Sequence, residues 1–179
     1  AYISPKENLL VIDASSATKA EELLSYLRGT IESLPVILPS TKNVPSSTMT
    51  EWLLHQTASH DFEIDQECEL YNPSEDGNVV RCKGQDLASD EIQGHLSAGK
   101  QVKKLGLLWK GALSCIIEDD LTIKRLKFQD MILEKAAEAD AESAAEQFDQ
   151  DFAVMTLELS RFFNALFGAF GGLQERPDV

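Results

Sequence analysis

Residues 101–128 read QVKKLGLLWKGALSCIIEDDLTIKRLKF. Three strands are expected in this stretch, Val102 to Trp109, Leu113 to Glu118 and Leu121 to Phe128, the last two joined by Asp119-Asp120. Such short connections between apolar runs make an antiparallel meander the natural arrangement. The stretch is also where the positive charge is concentrated. Between Lys100 and Lys127 lie seven basic residues, Lys100, Lys103, Lys104, Lys110, Lys124, Arg125 and Lys127, against three acids, Glu118, Asp119 and Asp120. The segment is therefore +4 within a chain of net charge -14, which leaves -18 for the rest.

Downstream the pattern turns helical, with a short piece from Gln129 and a long helix from about Ala141 to Ala169. In the long helix Phe148, Phe152, Met155, Leu159, Phe162, Phe163, Leu166 and Phe170 recur at three- and four-residue steps, and Gly171-Gly172 ends it. Upstream, Phe62 to Leu70 alternates apolar and acidic residues as a half-buried strand does, with Glu63, Asp65, Glu67 and Glu69 on the polar side. The turn Asn72 to Gly77 returns it to Val79–Lys83 as a hairpin, and a small helix runs from about Ser89 to Ala98, stopped by Gly99.

Nearer the start, Leu9–Ile12 reads as a buried strand. Thr18 and Glu21 have capping-box spacing, with Ser15 and Ser16 as other caps, and a helix follows on Ala20, Leu23, Leu24, Leu27, Ile31 and Leu34. Pro35–Leu38 then reads as a second strand, which makes one strand-helix-strand crossover. After a Pro-, Ser- and Thr-rich loop, Thr48 or Thr50 can cap a short helix through Glu51, Trp52, Leu53, Leu54 and His55. The fold class is α+β: a mixed or antiparallel sheet with packed helices and a long C-terminal helix. The blocks are 1–60, 61–99, 100–128 and 129–179, in one or two compact domains.

With 179 residues, 43% of them hydrophobic, the chain can build a core, and wholesale disorder is excluded. No stretch reaches the roughly 18 apolar residues of a membrane span, and the first residues lack the regions of a signal peptide, so no membrane partner is expected. Cys68, Cys82 and Cys115 form no CxxC pair and read as buried free thiols in a reducing cytoplasm. The first residue, Ala1, opens on what reads as a strand edge, and the chain is expected to be a piece of a longer one.

Catalytic chemistry finds little support. His55, His60 and His95 have no metal-ligand spacing, no GxSxG elbow is present, and Gly111 and Gly171-Gly172 lack the strand-turn-helix setting of a phosphate loop. Acids fanned along one strand, as at 63, 65, 67 and 69, do not converge on one ion. The expectation is a non-enzyme with no catalytic, metal or cofactor residues and no cofactor. The basic meander could hold phosphates without reading base edges, or its lysines could be a solvated sheet face pairing with helical acids.

The order of the segments resembles the bacterial recombination-associated RdgC family. The resemblance rests on Asn8 through Glu22, Ser33-Leu-Pro-Val, Thr50-Glu-Trp, Gln85-Asp-Leu with Asp90-Glu-Ile, Ala98-Gly-Lys-Gln-Val, Leu105 to Trp109, Leu126-Lys-Phe, and Phe148 through Leu159. It covers nearly the whole chain and matches the C-terminal part of a family member. It implies a cytoplasmic, nucleoid-associated, non-enzymatic protein that binds duplex and single-stranded DNA with little sequence preference and restrains the RecA recombinase. It also implies a homodimeric ring in the full-length protein, with DNA in a positively charged hole.

Carried over residue by residue, Lys100, Lys104, Lys124, Arg125 and Lys127 match basic positions of the family, with Lys100 and Lys104 foremost, while Lys103 and Lys110 are weaker matches. Lys83 and Gln85 fall in a segment that in the family lies near a subunit contact, where Gly84 here replaces a second basic residue. The rival reading is an acidic protein-interaction module that meets its partner through exposed acids or the Phe-rich C-terminal helix.

Overall fold

The computed structural model describes residues 1–74, 77–137 and 141–175. It separates into two compact units, Ala1–Pro39 and Ser40–Val179. In the first, β1 (Tyr2–Ser4) pairs antiparallel with β2 (Leu9–Val11), and α1 (Ala17–Ile31) follows. Of the caps offered by the sequence, Ser16 is the N-cap of α1, its hydroxyl accepting from the Lys19 amide at 3.3 Å, while Thr18 lies two residues further on, inside the helix. The expected apolar stripe of α1 is half-buried at Ala20, Leu23, Leu24 and Leu27, and no residue of the helix is fully buried.

The second strand expected at Pro35–Leu38 does not form, and with it the crossover unit disappears. Pro35 brings no amide hydrogen to a ladder, Pro39 closes the run, and Ile37 and Leu38 stand exposed. An apolar run needs a pairing partner to become a strand, and β2 pairs with β1 in a sheet of two strands that this run does not join.

The second unit opens with α2 (Pro45–His55). Pro45 occupies its first turn after Val44, and Thr48 and Thr50 lie inside the helix rather than capping it. Then come β3 (Phe62–Tyr71), β4 (Val79–Lys83), α3 (Asp90–Ser97), β5 (Gln101–Trp109), β6 (Leu113–Glu118), β7 (Ile123–Phe128), α4 (Asp130–Ala137) and α5 (Ala144–Ala169). The five strands form one sheet in the order β4-β3-β5-β6-β7, with neighbouring strands antiparallel throughout, so the meander and the hairpin share a sheet. Glu75-Asp76 of the expected hairpin turn, residues 138–140 and the last four residues lie outside the described residues.

One face of this sheet is apolar. Register places Ile64, Leu107 and Cys115 in one row, Phe62, Trp109 and Leu113 in another, and Cys82, Cys68, Leu105 and Ile117 in a third. Aromatic rings from α2 and from the C-terminal end of α5 close over it: Trp52 lies 5.2 Å from Phe170, and Phe162 lies 5.9 Å from Phe62 and 5.8 Å from Trp109. Burial of side chains this large is the main stabilising term of the unit.

In α5, burial begins only at Glu158 and Leu159. The expected apolar face extends to Phe148, but Phe148 is exposed and stacks at 5.9 Å on Phe152, its own neighbour one turn on. Ser143 caps the helix by accepting from the Glu146 amide, and the left-handed Gly171-Gly172 pair ends it, the Gly172 amide donating to the Phe167 carbonyl at 2.8 Å.

Candidate nucleic-acid interface

Side chains alternate along a strand, so the residues between the apolar rows project from the other face of the sheet. There Arg81 on β4 stands opposite Glu69 on β3, Glu69 opposite Lys104 on β5, and Lys104 opposite Glu118 on β6. Lys124 on β7 completes the row. Arg81 Nε donates to Glu69 Oε2 at 2.8 Å, and Lys104 Nζ lies 3.6 Å from Glu69 Oε2 and 3.1 Å from Glu118 Oε1. Lys124 Nζ lies 2.8 Å from the same Glu118 oxygen. One alternating ladder of charge, plus-minus-plus-minus-plus, thus crosses all five strands.

Burial of Glu118 pushes its carboxyl upward, but contact with the Lys124 and Lys104 ammonium groups outweighs this and holds it below the ordinary carboxylate range. Contact with Glu118 in turn raises Lys104, against the opposing effect of its burial. Both groups are charged across the physiological range.

Two bulges enlarge the row. Between Glu69 and Leu70 the register of β3 against β5 shifts, which leaves Lys103 as the extra residue beside Lys104, exposed to solvent. The amide of Val102, at the same shift, donates to Thr50 Oγ1 of α2 at 2.9 Å, so a helix side chain satisfies a buried strand amide. On β7 a second shift opposite Cys115 places Arg125 at φ 50°, and its Nη1 donates to both carboxylate oxygens of Glu67 at 2.9 Å.

Gly106 on β5 lies beneath the β3 segment that carries Glu67. A Cβ there would stand 3.2 Å from the Glu67 carbonyl and 3.3 Å from the Asp65 Cβ, so a side chain at this position would press on the irregular stretch of β3 where it crosses β5. Sequence reasoning did not single out Gly106, Glu67, Glu69, Glu118 or Arg81 as parts of this site. An isolated glycine within a strand pattern is the one signal that pointed there.

The nine residues named from sequence take different places. Lys104, Lys124 and Arg125 are in the ladder or beside it. Lys127, exposed, stands opposite Ser114 on the same face. Lys83, exposed, is opposite Glu67. Among the described residues, Lys83, Lys103 and Lys127 form no ion pair.

Lys110 is displaced to the hairpin turn between β5 and β6. There Lys110 and Gly111 both have positive φ, as a two-residue turn of this hand requires, and Lys110 Nζ lies 3.0 Å from Asp61 Oδ2 and 5.4 Å from the Trp109 ring. Gln85, half-buried, donates to Glu91 Oε2 at 3.2 Å. Lys100 is withdrawn from the surface: it is 8% exposed, and its ammonium donates to the Asn78 carbonyl at 3.2 Å and to the Asn78 side-chain oxygen.

The expectation that the lysines pair with helical acids is corrected by this geometry, since the partners Glu67, Glu69 and Glu118 all come from strands. Among the described residues no group of three or more His, Cys, Asp or Glu is arranged to hold a metal ion. No helix among them is long and apolar enough to cross a membrane.

The chain is an α+β protein whose five-stranded sheet is apolar on one face and carries a row of alternating charge across every strand on the other. The sequence matches, over residues 1–173, the family described as "Putative exonuclease, RdgC". It is 48% identical over 172 residues to the recombination-associated protein RdgC of Pseudomonas paraeruginosa, covering 96% of this chain and 56% of that protein, and equally so to that of Pseudomonas aeruginosa. The protein of the same name from Aeromonas hydrophila is 46% identical over 175 residues, 98% of this chain and 58% of its own length. The chain belongs to the RdgC family, and it spans a little over half the length of these curated relatives.

Proposed function

We propose that this chain binds DNA without sequence preference, through phosphate contacts to the charged face of its five-stranded sheet. The observation that carries the reading is the convergence on one face of Arg81, Lys104, Lys124 and Arg125 with Lys83, Lys103 and Lys127, which form no ion pair among the described residues. Lys103, Lys127, Lys124 and Arg125, all exposed, are the leading contacts, with Lys104 at the centre of the row and Lys100 a structural residue held by Asn78. Flexible lysines meet phosphates as point charges and read no base edge, which accounts for binding of duplex and single strand alike.

The role is occlusion of DNA in homologous recombination; the relatives' name, recombination-associated protein, supports the link to recombination. A protein that coats or encircles DNA competes with growth of a RecA filament and makes or breaks no bond. Glu67, Glu69 and Glu118 are each engaged by a basic side chain, an arrangement suited to holding cations rather than to ligating the metal pair of a nuclease. The complete protein acts as a homodimeric ring at the nucleoid in the cytoplasm.

The test is fluorescence anisotropy of a labelled random-sequence duplex and a labelled single strand, titrated with the chain at several salt concentrations. The expected result is binding of both, with log affinity falling linearly against log salt. No binding of either at low salt favours the rival, a protein-interaction module, and overturns the reading.

A further inference from the structure

We propose that Glu69, Glu118 and Glu67 compete with phosphate for the cations of the sheet, keeping DNA binding weak and reversible. The inference rests on the DNA reading above and deepens it. Four cations of the face, Arg81, Lys104, Lys124 and Arg125, are already within ion-pair distance of one of these three carboxylates. Glu69 and Glu118 cannot swing away to release them, since their side chains are only 10% and 12% exposed and are fixed in the middle of the sheet.

A phosphate that approaches Lys104 or Lys124 therefore shares its cation with a fixed anion, and also meets that anion's repulsion. The four cations and three carboxylates together present a net charge of only +1. Counterion release, the source of sequence-independent affinity, is reduced in proportion, because cations neutralised within the protein displace fewer ions from DNA. Lys83, Lys103 and Lys127, in no ion pair among the described residues, start the encounter. The ladder limits how tightly it can end.

The experiment compares the anisotropy titrations of the wild-type chain, Glu118→Gln and Glu67→Gln. Each substitution keeps side-chain size and removes one competing charge. The expected result is duplex affinity raised about five- to tenfold by Glu118→Gln, with a steeper salt slope, and raised less by Glu67→Gln. Thermal melts of each variant accompany the titrations, and Glu67→Gln, which breaks a pair more exposed than that of Glu118, keeps the test sound if Glu118→Gln unfolds.

Wild-type binding with unchanged affinity in both variants overturns the inference and leaves the DNA reading standing. Weaker binding in the variants also overturns it, because the acids then position the cations instead of competing for them. No binding by any of the three proteins contradicts the DNA reading itself, and the inference falls with it.

Discussion

Lys104 Nζ lies 3.1 Å from Glu118 Oε1, where β5 pairs with β6 at the centre of the charged row. This contact makes the sheet face a tied arrangement of alternating charge rather than a bare basic stripe, and its titration has a calculable sign.

The Glu118 carboxyl is held below its ordinary range in the folded state, so its contribution to stability is present above the unfolded pKa of about 4.3 and is lost as pH falls through the folded value. Lys104, raised in the folded state, contributes stability that is complete below its unfolded pKa of about 10.4 and is lost as pH rises through the folded value. Urea denaturation of wild type and Glu118→Gln should give a stability difference that is constant from about pH 6 to 9 and shrinks below about pH 4. A difference that grows on acidification contradicts the ladder.

Phe162 is fully buried between Phe62 and Trp109. Phe162→Ala should cost about 3–5 kcal/mol, read as a lowered denaturation midpoint followed by tryptophan fluorescence, with Trp109 reporting from the same cluster. Phe148→Ala, at an exposed ring, should change stability by no more than about 0.5 kcal/mol.

Cys68, Cys82 and Cys115 are all free and buried. Burial pushes the Cys115 thiol up to about 12, and burial together with the neighbouring Cys82 pushes Cys68 to about 12 as well. In the native state at pH 8 these two thiols should resist alkylation by iodoacetamide, and both should react promptly in denaturant. Mass spectrometry of the labelled peptides checks this.

The meander was legible because its apolar runs match strands and its connections are short; Leu113–Glu118 is found as expected. The crossover was misread because Pro35–Leu38 has the composition of a buried strand, while nothing in a local pattern reveals that β2 is paired to β1 instead. The basic residues of the face were legible by type but not by pairing. Glu69 and Glu118 meet Lys104 only through the registers of β3 against β5 and β5 against β6. The bulges at Lys103 and Arg125 break the period of two from which side-chain direction is inferred, and nothing local showed that Lys100 turns inward to Asn78.

The most direct test of the central claim is the DNA affinity of Lys103→Glu/Lys127→Glu beside that of Lys6→Glu/Lys19→Glu, two double variants of equal net charge, one on the sheet face and one in the first unit. Phosphate contact through the sheet predicts that the first loses affinity for random duplex at least about tenfold and flattens the salt slope by roughly one to two, while the second loses little. Equal losses in both would show that only overall charge matters and would contradict a DNA-binding role for this face.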